Sequence, residues 1–248
     1  MIFGHDFYHG TLRRYIVMFG NIFNEIQVER YDSNGNVIQN VNVPIEYGPK
    51  QKFIRRVTTD PQIGREQFST QLPRLGFEMN GITYAPARKL NTGFKIKKNL
   101  DPDAINFTSV YSPVPYDMNF TLSALVRNAE DGTQIIEKII PFFAPDFTVT
   151  MKVLPSLSLN MDIPIELLSI SSEDTYEGDF DSRRIISWDL SFVVKGYLFG
   201  PVTTNRYIGN ATINIKNDLK SVIEPALVST TSIVSNSDFG FSTTLTTP

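Results

Sequence analysis

Asp117–Arg127 reads DMNFTLSALVR and Ile185–Tyr197 reads IISWDLSFVVKGY, and these two stretches set the architecture. In the first, Met118, Phe120, Leu122, Ala124 and Val126 alternate with Asn119, Thr121 and Ser123. In the second, Ile186, Trp188, Leu190, Phe192 and Val194 alternate with Ser187, Asp189, Ser191 and Lys195. A period of two puts each apolar row on one side of a pleated strand, so both segments are expected as long strands with one dry and one wet face. Burying an apolar side chain yields about 1.5–3 kcal/mol, while fixing each residue's backbone costs roughly 1–2 kcal/mol. A bare sheet with half its residues buried therefore cannot fold alone, and something must cover the apolar face.

Two segments have the pattern to do so. Leu12, Tyr15, Ile16, Phe19, Ile22, Phe23 and Ile26 recur at helical spacing behind Thr11, a candidate cap. Gly20 inside that helix marks a close approach of another backbone, a bend, or a tolerated glycine. Over Thr133–Phe143, Ile135, Ile136, Ile139, Ile140 and Phe143 form a second stripe, with Asp131 as a candidate cap and Pro141 where the helix must kink or stop. Between the first helix and the long strands, Gln27–Tyr31 and Val37–Tyr47 flank Asn34–Gly35 and predict a β-hairpin. Ile163–Ile170 and Ala211–Lys216 alternate as further strands.

The expected class is α+β: a mostly antiparallel twisted sheet with amphipathic helices covering one face. One domain is expected over 1–225, with a loop or insertion near 86–115 where Pro, Asn, Lys and Asp accumulate without periodicity. A Ser/Thr-rich stretch, 226–248, is expected as a flexible C-terminal arm. There is no internal repeat.

Composition narrows the function. The 248 residues contain no cysteine, which excludes disulfides, thiolate nucleophiles and cysteine metal sites. A net charge of -3 gives no global field for nucleic acid or an anionic membrane. No apolar run approaches the length of a bilayer span and no signal peptide is recognisable, so a soluble protein used without export is expected.

Motifs for chemistry are sparse. His5 and His9 have the spacing of a zinc pair, but no third ligand is specified nearby. No GxSxG elbow and no phosphate-cradling glycine loop occurs, so no catalytic residue, cofactor or metal is assigned. Glu173, Asp174, Glu177, Asp179 and Asp181 crowd one segment between two strands, followed by Arg183 and Arg184. They read as a solvated hairpin tip or, as an alternative, a calcium or acid/base site. The calcium pattern lacks its glycine and its distal glutamate. Two basic tracts, Lys50, Lys52, Arg55 and Arg56, and Arg88, Lys89, Lys95, Lys97 and Lys98, read as solvated faces or, as an alternative, contacts to phosphate or an acidic protein, without the aromatic interleaving of a nucleic-acid platform beyond Phe53 and Phe94.

Several blocks in fixed order carry a resemblance: FYHGTLRRYIVMFGNIF (7–23), VPIEYGPK (43–50), QLPRLGFEM (71–79), YAPARKLN (84–91), QIIEKIIPFFAPDFTVTM (134–151) and SRRIISWDLSFVVKGYLFGPV (182–202). Together they resemble the tail sheath stabiliser and completion proteins of T-even-like contractile-tailed phages. The resemblance implies a tail-terminator-like fold and a non-enzymatic virion protein, assembled in the host cytoplasm. It implies six copies closed into a ring at the head-proximal end of the tail, with the tail tube terminator, the last sheath ring and a neck or head-completion protein as partners. Membrane and sequence-specific nucleic acid are not implied. Asn91–Asn106 and the Ser/Thr-rich tail depart from the family pattern, so contacts made there are not transferred. Candidate interface residues are Arg13, Arg14, Glu173, Asp174, Glu177, Asp179, Asp181, Arg183 and Arg184. Two alternatives stand beside this reading: another head–tail joining ring, such as a neck or tube terminator protein, and a metal-dependent hydrolase built on the acidic loop.

Overall fold

The computed structural model describes residues 6–32, 35–58, 72–98, 106–144, 146–175, 185–206, 210–216, 222–229 and 242–243. The chain divides into two compact units, one from 1–91 with 113–199 and one from 92–112 with 200–248.

The first unit is built on a six-stranded sheet. Its strands are β3 (Ile45–Tyr47), β4 (Arg74–Tyr84), β7 (Val114–Val126), β8 (Asp146–Leu154), β9 (Leu159–Thr175) and β10 (Ile185–Leu198), in the order β3-β4-β7-β10-β9-β8. The two long alternating stretches are neighbours, antiparallel from Ile186↔Val126 to Leu198↔Val114. Every pairing is antiparallel except β3 with β4, so the sheet is mixed, because Val37–Tyr47 breaks at Pro44. Its first half is β2 (Val37–Asn42), which pairs with β1 (Gln27–Tyr31) as the expected hairpin, and its second half joins the large sheet.

Helices α1 (Thr11–Ile22) and α3 (Ala129–Ile139) cover the first face. Tyr15 and Phe19 from α1, together with Ile135 and Ile139 from α3, are buried with the row Met118, Phe120, Leu122, Ala124 and Val126. Phe19 stacks on Phe120 at a centroid distance of 4.5 Å and meets the Phe192 edge at 5.4 Å. The caps differ from the sequence reading. Gly10, at φ 63°, is the N-cap of α1, a backbone shape that glycine adopts without the Cβ penalty, and Thr11 is the first helical residue. Asp131 lies within the first turn of α3, where an ion pair holds it, and Asn128 takes the cap position. Gly20 does mark a close approach, but to a side chain: a Cβ there would lie 2.8 Å from Phe77 Cζ.

The second face is not wholly wet, which corrects the expectation that helices cover one face only. Helix α2 (Lys50–Thr58), hidden in the sequence by its basic residues, sets Phe53 against Leu125 and Ile185, with Ile54 and Leu72 alongside. Beneath it Ser123 and Ser187 become buried. Gly76 makes room, since a Cβ there would lie 2.4 Å from the Phe53 ring.

The second unit contains β5 (Lys95–Lys98), β6 (Asn106–Tyr111) and β11 (Thr203–Arg206) in the order β11-β6-β5, and β12 (Asn210–Lys216), β13 (Val222–Ser229) and β14 (Ser242–Thr243) in that order. The stretch 86–115, expected as a loop or insertion, carries β5, β6 and the start of β7. Lysines and asparagines on short strands masked the alternation. β13 runs through residue 226, so strands from both sides of that position share one sheet.

Candidate assembly surface

The charged residues of α2 do not form an open basic face. Lys50 Nζ bonds Asp189 Oδ2 at 2.8 Å and Glu173 Oε2 at 2.9 Å. The other oxygen of Asp189 accepts the Ser123 hydroxyl at 2.6 Å. Burial pulls the Lys50 ammonium down, but the bonds to Asp189 and Glu173 outweigh it and hold the group above its ordinary range. Lys52 and Arg56 reach Glu46 at 2.9 and 3.2 Å, and Arg74 reaches it at 2.5 Å. The Lys52 hydrogen bond, assisted by the charges of Lys52, Arg74 and Arg56, keeps the Glu46 carboxyl below its usual range despite some burial.

Among the expected interface residues, Arg13 is exposed on α1 and Asp174 is exposed on β9. Glu173, also exposed, is drawn to Lys50. Arg14 instead braces the fold, its Nη1 donating to the Val153 carbonyl of β8 at 2.9 Å. Glu177, Asp179, Asp181, Arg183 and Arg184 lie outside the described residues, as does His5. The strands flanking the acidic segment pair up to Thr175↔Ile185, so they form the two arms of a hairpin. No group of three potential metal ligands forms among the described residues, and no helix among them is long and apolar enough to cross a membrane.

The second basic tract also changes character in three dimensions. Arg88 pairs with Asp117 at 2.6 Å and sits over the Tyr197 ring. Lys95 lies 4.4 Å from the Tyr111 ring centre and Lys97 lies 5.4 Å from that of Phe107. These aromatics interleave with the lysines across strands, a relation that linear sequence does not display.

The strand edges are the other distinctive surface. Gln134 of α3 receives the Glu29 N–H on its carbonyl oxygen at 2.9 Å and donates to the Glu29 carbonyl at 3.2 Å. Lys138 donates to the Gln27 carbonyl at 2.9 Å. The outer edge of β1 is thereby closed by α3. On β2, Val37 and Ile38 remain 51% and 68% exposed, large apolar side chains on an outer strand. Sequence reasoning missed Gln134 and Asp189 because each acts through partners far along the chain, and Glu46 because its partners Lys52, Arg56 and Arg74 sit on two other elements, α2 and β4.

What this arrangement offers is a rigid, ion-paired block with open edges. Acidic clusters are answered by neighbouring cations, as Asp189 and Glu173 are by Lys50, and do not converge on a reactive centre among the described residues. The comparisons agree. The sequence profile of the T4-like virus Myoviridae tail sheath stabiliser family matches residues 6–245. The tail completion protein gp15 of Enterobacteria phage T4 is 32% identical over 208 residues, which cover 81% of this chain and 74% of that protein. The chain therefore belongs to the T4-like Myoviridae tail sheath stabiliser family, whose members are structural components of the virion tail and not enzymes.

Proposed function

We propose that six copies of this chain close into a ring at the head-proximal end of a contractile tail. In this reading the ring caps the tube through the tail tube terminator, holds the last ring of sheath, and presents its upper surface to a neck or head-completion protein. The observation that carries the reading is family membership extending over residues 6–245. Physical support comes from the block itself: a mixed sheet braced on one face by α1 and α3, and at one end of the other by α2. A subunit of that kind suits termination by geometry, in which a closed ring offers no further site to the polymer beneath.

The fold is read as tail-terminator-like. The interface is read to include Arg13, Glu173, Asp174 and the acidic segment through Asp181 with Arg183 and Arg184. The Ser/Thr-rich residues 226–248 would add contacts to a neighbour.

Binding assays with purified sheath and tube proteins test the assignment. Retention of sheath together with the tube terminator is expected. Binding to neck protein alone, with neither sheath nor tube terminator retained, would reassign the chain to another head–tail joining ring.

A further inference from the structure

Natural sheets protect their open edges with charges, prolines, bulges or short strands, because an open edge templates pairing with another chain. β2 carries no charge and no proline over Val37–Asn42, VIQNVN, and although its register breaks at Ile38, where Arg30 faces Gln39 and Tyr31 faces Val37, Gln39–Asn42 pairs regularly with β1. The direction of its free groups follows from its partner. Glu29 gives both its N–H and its carbonyl to Gln134, away from β2, so Glu29 and Asn40 form a non-hydrogen-bonded pair. Asn40 must then point its own N–H and carbonyl outward. Gln27 gives its carbonyl to Lys138, which orients its partner Asn42 in the same way. Among the described residues nothing takes up these groups.

Among the described residues the six-stranded sheet leaves open the edge of β4 beyond Phe77, the edge of β9 from Leu167 to Thr175, and the outer edge of its terminal strand β8. At one side β3 is only three residues long. At the other, β8 ends the sheet with nine residues, of which Phe147–Met151, FTVTM, is uncharged between Asp146 and Lys152. Arg14 closes the far end of β8 at Val153. Among the described residues β2 and β8 are thus two different terminal strands, each with an uncharged open segment.

We propose that the outer edge of β2 in one copy adds as a strand to the outer edge of β8 in the next. The inference rests on the ring reading above. A ring requires a head-to-tail contact between two different patches, and these edges supply one of each. Pairing of β2 with β2 would instead give a closed twofold dimer and leave β8 uncovered. Backbone hydrogen bonds supply the attraction, and Ile38, 68% exposed in the single chain, gains cross-strand contacts.

The absence of native cysteine makes the test clean. Full-length protein carrying Asn40→Cys with Thr148→Cys, or Asn40→Cys with Thr150→Cys, is oxidised under assembling conditions, beside each single variant and the unmodified chain. The expected result is a ladder of covalent multimers up to ring size in at least one double variant, with the single variants remaining uncrosslinked. As a second arm, Ile38→Lys should keep the melting temperature of the monomer while raising the protein concentration needed for assembly about tenfold or more. Rings that form with no crosslink in either double variant, or that form equally well with Ile38→Lys, overturn the edge pairing and leave the ring reading intact. Dimers from Asn40→Cys alone also overturn it, in favour of twofold pairing. Failure of the unmodified chain to form a ring, alone or with tube protein, removes both.

Discussion

Tyr15 Oη donates a hydrogen bond to the carbonyl of Tyr197 at 3.1 Å and accepts one from the N–H of the same residue at 2.9 Å. One phenol thus satisfies both backbone groups of a β10 residue, tying the first helix to a strand 182 positions away. Gly196 permits the approach, since a Cβ there would lie 2.9 Å from the Tyr15 ring and 2.1 Å from Met118 Cε.

Tyr15→Phe should therefore cost about 1–3 kcal/mol, the penalty for leaving a pair of partly buried backbone groups unmet. Gly196→Ala should destabilise by a similar amount, about 1–3 kcal/mol, through overpacking. Urea titration followed by far-UV circular dichroism reads both, and a change under about 0.5 kcal/mol for Tyr15→Phe, a typical neutral surface effect, would show that the bond is dispensable.

Burial pushes the Tyr15 phenol from 10.0 up to about 12, against the lowering effect of its bond to Tyr197. The folded state therefore holds this proton more tightly than the unfolded state. Stability from this group is complete below about pH 10 and is lost as pH rises toward about 12. Tyr15→Phe should flatten that alkaline slope in thermal melts, and an unchanged slope would assign it to other groups.

Asp131 is buried to 2% exposure and paired through both carboxylate oxygens with Arg30, one of the two bonds measuring 2.8 Å. Arg30→Ala strands that carboxylate. The expected loss is about 3 kcal/mol, the low end for breaking a buried pair, because the Arg30 side chain is 36% exposed. Arg30→Met with Asp131→Leu should cost less than Arg30→Ala alone. A double variant as unstable as the single one would mean that the pair itself, and not relief of a stranded charge, supports the hairpin on α3.

Glu46, held below the usual carboxylate range first by Lys52, contributes stability that is present above its unfolded value near 4.5 and lost as pH falls through the lower folded value. Glu46→Gln should lower neutral-pH stability slightly, the loss being small because its partners are partly exposed, and reduce the acid-side slope to match. Chemical denaturation between pH 3 and about pH 6 checks this.

The long elements were legible in the sequence for a physical reason: β7 and β10 each expose a full row of alternating apolar residues, and α1 and α3 each hold a full stripe. Elements whose pattern is diluted by charge stayed hidden. Helix α2 has Phe53 as its fully buried side chain among four cations, so it resembles a solvated tract. β5, KIKK, has a single apolar residue to signal a strand. β8 alternates Phe147, Val149 and Met151 with Asp146, Thr148, Thr150 and Lys152, a legible pattern that lay inside a block read for its resemblance instead. The candidate surface was the least legible part. Asp189 needs Ser123 and Lys50, and β1 needs Gln134, and such partnerships depend on which distant segments meet.

Self-association into a closed ring is the property on which the proposed role at the tail end rests. Native mass spectrometry of the purified full chain, alone and mixed with tube protein, measures it. A single dominant species of six copies is expected, and a monomer at every concentration, with or without tube protein, would rule the ring out.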